Sequence, residues 1–108
     1  MDDPVQVYER RNEVQIVDVR EPYEWEAGHI DGAIHIPLAD VMAGREQGTL
    51  STDRPVVLVC RSGNRSELAT LMLQARGFEA HNLEGGMERW AASDLPFRAS
   101  DGSEGRVA

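Results

Sequence analysis

The sequence predicts an α/β domain with a central, mostly parallel sheet flanked by helices, and three observations carry that prediction. Short β-branched runs, Val14–Val19 and Val56–Val59, alternate with stretches of helical periodicity. The chain has 108 residues, 41% hydrophobic and 28% charged, which suits one soluble core and not two. The second β-branched run leads straight into the only cysteine, Cys60, followed by a loop with one glycine and two arginines and then by a helical pattern. Strand, loop and helix in that order aim a loop's backbone N–H groups at one point, and the helix start adds about half a positive charge there. A cysteine at the mouth of such a loop is expected to be a thiolate nucleophile.

The elements follow in chain order. Pro4 to Asn12 fits either a short helix or a strand, and the short helix is the preferred reading. Val14 to Val19 reads as a buried strand. Pro22 suits the first position of a short helix, with Glu21, Glu24 and Glu26 in its acidic first turn. Gly28-His29-Ile30-Asp31-Gly32 is punctuation, Ala33 to Ile36 a short strand, and Pro37 to Met42 a helical turn. Ala43 to Arg54 is a polar surface loop.

After the central strand and the cysteine loop, a helix is expected over Ser66 to Arg76. Leu68, Leu71, Met72 and Ala75 form its apolar face, and Gly77 stops it. Asn64 and Glu67 have the spacing of a capping box, with Asn64 as N-cap. Phe78 to Leu83 reads as a strand and Glu84-Gly85-Gly86 as a flexible break. Met87 to Ala92 is a last helix, with Glu84 as its candidate cap and Trp90 facing the core. Phe97 to Ala108, rich in Ser, Gly and charge, is expected to fray.

Composition excludes several functions. The net charge of −8 argues against nucleic acid or an anionic membrane as partner, and no apolar run approaches the ~20 residues of a membrane span. All eleven basic residues are arginine, so lysine-based covalent chemistry is out. One cysteine excludes an internal disulfide. Together with an N-terminus that lacks a secretory pattern, it fits a reducing, cytoplasmic setting. Arg61 and Arg65 are a local exception to the acidic background. His29 is expected to be a hydrogen-bonded structural residue. His35 and His81 make no ligand spacing with Cys60, so neither metal nor cofactor is expected. Asp18 and Arg20 are expected to tie the end of the first strand to its neighbouring loop by a charged hydrogen bond.

Val17-Asp18-Val19-Arg20-Glu21-Pro22 with Glu24, Gly28-His29-Ile30-Asp31-Gly32-Ala33 and Ile36-Pro37 resemble the N-terminal signature of the rhodanese domain. Cys60-Arg61-Ser62-Gly63-Asn64-Arg65-Ser66 resembles its active-site loop, and Leu83-Glu84-Gly85-Gly86 with Trp90 its C-terminal signature. The match runs from about Val14 to Pro96, in the family's order. The resemblance implies a rhodanese-like three-layer domain over residues 1–96, with 97–108 as a flexible tail. It also implies sulfane-sulfur transfer through a persulfide on Cys60, from a donor such as thiosulfate or a persulfide to cyanide or a thiol, with a protein sulfur acceptor as a further candidate partner.

On this reading Cys60 is the catalytic nucleophile. Arg61, Ser62, Gly63, Asn64, Arg65 and Ser66 form the substrate-binding cradle, with Gly63 turning its N–H inward and Arg61 and Arg65 attracting a dianion. A free cysteine has a pKa of roughly 8.5, and no histidine lies next to Cys60, so activation by fixed dipoles and cations is expected. Two alternatives stand beside it. One is a persulfide carrier or interaction module in a sulfur relay. The other is a phosphatase or arsenate reductase. Those enzymes use C-x5-R-[ST], whereas the spacing here is C-x4-R-S, a loop one residue shorter that suits a single sulfur atom better than a tetrahedral oxyanion.

Overall fold

A computed structural model describes residues 2–108. The strands are β1 (Gln15–Asp18), β2 (Ile34–His35), β3 (Val56–Val59) and β4 (Ala80–Asn82). The helices are α1 (Pro4–Glu9), α2 (Pro22–Ala27), α3 (Leu38–Met42), α4 (Asn64–Ala75) and α5 (Gly86–Ala92). The strands form one parallel sheet in the order β2-β1-β3-β4. α1 is the short helix the sequence favoured, and the Asp3 carboxylate accepts from the Val5 and Gln6 N–H groups at its start.

β3 lies between β1 and β4, and every one of its residues is fully buried. Its side chains alternate between two cores, as strand geometry requires. Val56, Leu58 and then Cys60 point toward Val41 of α3 and Ala69 and Leu73 of α4. Val57 and Val59 point toward Val7 of α1 and Met87 and Trp90 of α5. The architecture is therefore helix, sheet, helix, and Cys60 continues the α4-facing row of β3 at the strand's carboxyl end.

The buried face of α4 differs from the expected one. Leu68 and Leu71 are exposed, at 43% and 58%, while Ser66, Ala69, Thr70 and Leu73 face the sheet. Small side chains on that face suit a close approach to β3, and the Thr70 hydroxyl satisfies itself on the Ser66 carbonyl at 2.7 Å. The cap also differs. α4 begins at Asn64, and Gly63, with φ of +111°, holds the N-cap position without a side-chain bond. Likewise Gly85 is the N-cap of α5, and the Glu84 carboxylate accepts from Arg89 at 3.1 Å instead of capping.

Arg20 is fully buried and clamps two segments. Its guanidinium donates to both oxygens of Asp18 and to the Gly28 carbonyl at 2.6 Å, tying the end of β1 to the loop after α2. The stretch after Pro96, read from composition as a tail, runs back along α2. His29 and Arg98 exchange backbone hydrogen bonds at 2.9 and 3.0 Å, and the Arg106 N–H reaches the Ala27 carbonyl at 3.0 Å. Phe97 and Val107 pack against the Trp90 core. Among the described residues no helix is long and apolar enough to cross a membrane.

Candidate active site

In open parallel sheets the crevice outside the strands' carboxyl ends is where ligands bind, and Cys60 sits there, one residue beyond β3. Its side chain has no exposed surface, yet the sulfur's neighbours are polar. The Gly63 N–H donates to Sγ at 3.0 Å, and the Ser66 hydroxyl lies 3.2 Å from it. Burial is the largest single influence on the thiol and opposes its ionisation. The Ser66 hydroxyl and the N–H groups of Ser66, Gly63 and Ser62 together outweigh it, leaving Cys60 more acidic than an ordinary cysteine.

α5 holds this geometry in place. The Met87 and Glu88 N–H groups at its start donate to the carbonyls of Cys60 and Arg61 at 2.8 and 3.0 Å. In a trans peptide the C=O and the following N–H point in opposite directions. Turning the Arg61 carbonyl out to Glu88 therefore turns the Ser62 N–H in toward the sulfur. Such an approach leaves no room for a side chain at the first residue of α5: a Cβ on Gly86 would run into the Cys60 carbonyl oxygen and lie 2.6 Å from that of Arg61. The stretch read from the sequence as a flexible break is thus a close-contact point.

The cradle residues divide by role. Gly63, Ser62 and Ser66 surround the sulfur, whereas Arg61, Ser62 and Asn64 present side chains to solvent. Each loop arginine has a carboxylate partner from another element. Arg65 makes a two-pronged bond to Glu24 of α2, at 2.7 and 2.8 Å. Arg61 lies 3.5 Å from Glu88 of α5, both half-exposed. Glu24 is buried, and the Arg65 guanidinium holds its carboxyl below the usual carboxylate range, while Arg65 itself is pushed up by that carboxylate.

Sequence reasoning missed Asn82, the last residue of β4. Its Oδ1 lies 2.5 Å from the Ser66 hydroxyl, and its Nδ2 donates to the Gly63 carbonyl at 3.0 Å. The register pairs Leu58 of β3 with Asn82. A polar residue at the carboxyl end of a strand beside the cysteine strand was the available signal. The histidines lie outside the cradle: the Trp25 ring stacks on His29 and His35, and these bond to the Trp25 and Arg20 carbonyls at 2.8 Å.

A family model described as "Rhodanese-like domain" matches residues 3–93. The chain is 43% identical over 77 residues to YqhL of Bacillus subtilis, a protein of uncharacterised function, covering 70% of this chain and 60% of that protein. It is 39% identical over 88 residues to YtwF of the same organism, which carries a provisional sulfurtransferase name, covering 82% of this chain and 84% of that protein. Among solved structures, a rhodanese-related protein from Thermoplasma volcanium superposes with a TM-score of 0.81 at 31% identity, covering 89% of this chain and 94% of that one.

Proposed function

This chain belongs to the rhodanese-like domain family, and from that premise we propose that it is a sulfurtransferase carrying sulfane sulfur as a persulfide on Cys60. The observation that carries the proposal is the Cys60 sulfur at the end of β3, facing the Gly63 N–H and the Ser66 hydroxyl and made more acidic by its surroundings. A sulfurtransferase name on YtwF supports the same reading.

The Cys60 thiolate attacks the outer sulfur of a donor such as thiosulfate or a persulfide. A new S–S bond forms to Sγ, the donor's own S–S bond breaks, and sulfite or a thiolate leaves with the electron pair. An acceptor, cyanide or a thiolate, then attacks the outer sulfur of the persulfide, and Cys60 departs as a thiolate. The inward-facing amides hold negative charge on the cradle's sulfur in both steps.

Oxyanion chemistry fits this loop less well. Glu24 takes two of the five N–H donors of Arg65 and matches its charge, so that guanidinium meets a phosphoryl group as half of an ion pair and not as a free cation. The same pairing bears on the donor. With Arg65 matched by Glu24 and Arg61 by Glu88, the two loop cations bring no net charge to the rim. That favours a persulfide over dianionic thiosulfate.

The test is intact mass after incubation with thiosulfate and, separately, with a low-molecular-weight persulfide. The expected result is a gain of one sulfur, about 32 Da, on the parent and none on Cys60→Ala. No gain from either donor overturns the proposal. Repeated turnover with a small thiol identifies a catalyst. A stable persulfide discharged only by a protein identifies a relay carrier.

A further inference from the structure

We propose that Asn82 is a positioning residue that tempers the acidity of Cys60 by competing with its thiolate for the single proton of the Ser66 hydroxyl. The argument begins with the orientation of the Asn82 amide. The Gly63 carbonyl can only accept, so the Asn82 atom 3.0 Å from it is the NH2 donor, and the atom 2.5 Å from Ser66 Oγ is the carbonyl oxygen. That oxygen can only accept from Ser66. The Ser66 hydroxyl carries one hydrogen and has two acceptors in reach, Asn82 Oδ1 at 2.5 Å and Cys60 Sγ at 3.2 Å.

With Cys60 neutral, every group is satisfied by a relay. The thiol S–H donates to Ser66 Oγ, and the Ser66 hydroxyl donates to Asn82 Oδ1. When the thiol proton leaves to solvent, the thiolate requires a donor, and the Ser66 hydroxyl must swing from Asn82 to Sγ. Asn82 Oδ1 then loses the donor that the fold holds 2.5 Å from it. Ionisation therefore sets this loss against the gain at sulfur, and the Cys60 thiol stays less acidic than it would be if the Ser66 hydroxyl had no competing acceptor. Arg65 interacts with the Cys60 charge and favours the thiolate whether or not Asn82 is present, so the charged groups around the site leave the competition for the Ser66 proton in place. Arg65 is matched by Glu24, Arg61 by Glu88, and Arg20 at the end of β1 by Asp18.

The device has a chemical use. A thiolate loses nucleophilicity as its pKa falls, and the best attacking thiol has a pKa near the ambient pH. The amides supply ionisation, and Asn82 stops the sulfur from becoming too weak a nucleophile. The inference rests on Cys60 being the reacting sulfur, but thiol acidity and sulfur acceptance are measured separately, so each reading fails on its own result.

The experiment is a pH titration of thiolate ultraviolet absorbance, which this single-cysteine chain makes unambiguous. Asn82→Ala is expected to lower the Cys60 pKa by about half a unit to one unit, the worth of one hydrogen bond. In a Ser66→Ala background the same substitution is expected to produce no lowering. If Asn82 serves only to hold the Gly63 carbonyl, its removal loosens the cradle and raises the pKa in both backgrounds. That outcome, or no change in either, overturns the proposal. A readout on the parent needs no variant that folds: the Raman S–H stretch at low pH. A band shifted as for a donating S–H supports the relay, and a band at the free-thiol position overturns it.

Discussion

Replacing Gly86 with alanine tests whether α5 holds the cradle. Its Cβ would run into the Cys60 carbonyl oxygen and lie 2.6 Å from that of Arg61, and ordinary contact begins near 3.4 Å, so α5 must withdraw by at least about 0.8 Å. The hydrogen bonds from Met87 and Glu88 to the Cys60 and Arg61 carbonyls, now 2.8 and 3.0 Å, would then exceed hydrogen-bonding distance. Overpacking of this kind costs about 1–3 kcal/mol, and a Cβ at φ of +56° adds about 1–2 kcal/mol. The total of roughly 2–5 kcal/mol is a large share of a domain's stability, and it corresponds to a melting temperature roughly 10–30 °C lower. Gly44→Ala is the control, because Gly44 also has positive φ, at +77°, but open space around it, so only the backbone term applies. The assays are denaturant unfolding of both variants and a thiolate titration of Cys60. Gly86→Ala is expected to be the less stable by about 1–3 kcal/mol and, with the Ser62 N–H no longer held inward, to raise the Cys60 pKa by about half a unit to one unit. Equal stability of the two variants together with an unshifted Cys60 pKa would refute the reasoning.

Two further predictions concern the frame of the site. Glu24→Gln is expected to destabilise the fold by about 1–3 kcal/mol at neutral pH, since Arg65 loses its charged partner at a buried carboxyl. The folded-state pKa of Glu24 is depressed, so the pair's contribution is full above the ordinary carboxylate range and is lost as pH falls through the depressed value. The gap between parent and variant should therefore close on acidification, and a gap independent of pH in urea titrations would remove the ion pair as its cause. On α4, Leu73→Ala is expected to cost about 2–5 kcal/mol and Leu71→Ala no more than about 0.5 kcal/mol, with the reverse order in denaturant unfolding contradicting the observed buried face.

The sheet was legible because β-branched runs buried on both faces look alike in sequence and structure: Val56 to Val59 has little other fate. The cysteine loop was legible because a glycine and two arginines directly after such a run are an unusual local composition. The face of α4 was misread because periodicity reports apolar spacing, not which face meets the sheet. Leu68 and Leu71 satisfy the spacing but point outward. The sheet-facing stripe begins with Ser66, a polar residue placed there to meet the sulfur. Asn64 and Glu67 mimicked a capping box, but the loop needs positive φ at the cap, and glycine supplies it at Gly63. The partnerships of Arg65 with Glu24, 41 residues apart, and of Ser66 with Asn82, 16 apart, exist only in three dimensions. No local pattern in a single sequence contains them.

These long-range pairings change what the loop's arginines are for. Read along the chain, Arg61 and Arg65 are two cations beside a nucleophile. In the fold, Arg65 is the bolt that fastens α2 to the start of α4, and Arg61 lies beside the α5 carboxylate whose own N–H fixes the loop carbonyl. Charge that is already matched by a neighbouring carboxylate exerts little pull on an incoming anion, whereas amides held by helix contacts stay aimed at the sulfur whatever the substrate's charge. Reactivity at Cys60 should therefore depend weakly on ionic strength and strongly on substitutions that move α5 or β4 against the loop. Three of the elements that touch the cradle, α4, α5 and β4, come from separate stretches after the cysteine, so the acidity of one thiol reports on how well the second half of the domain is assembled.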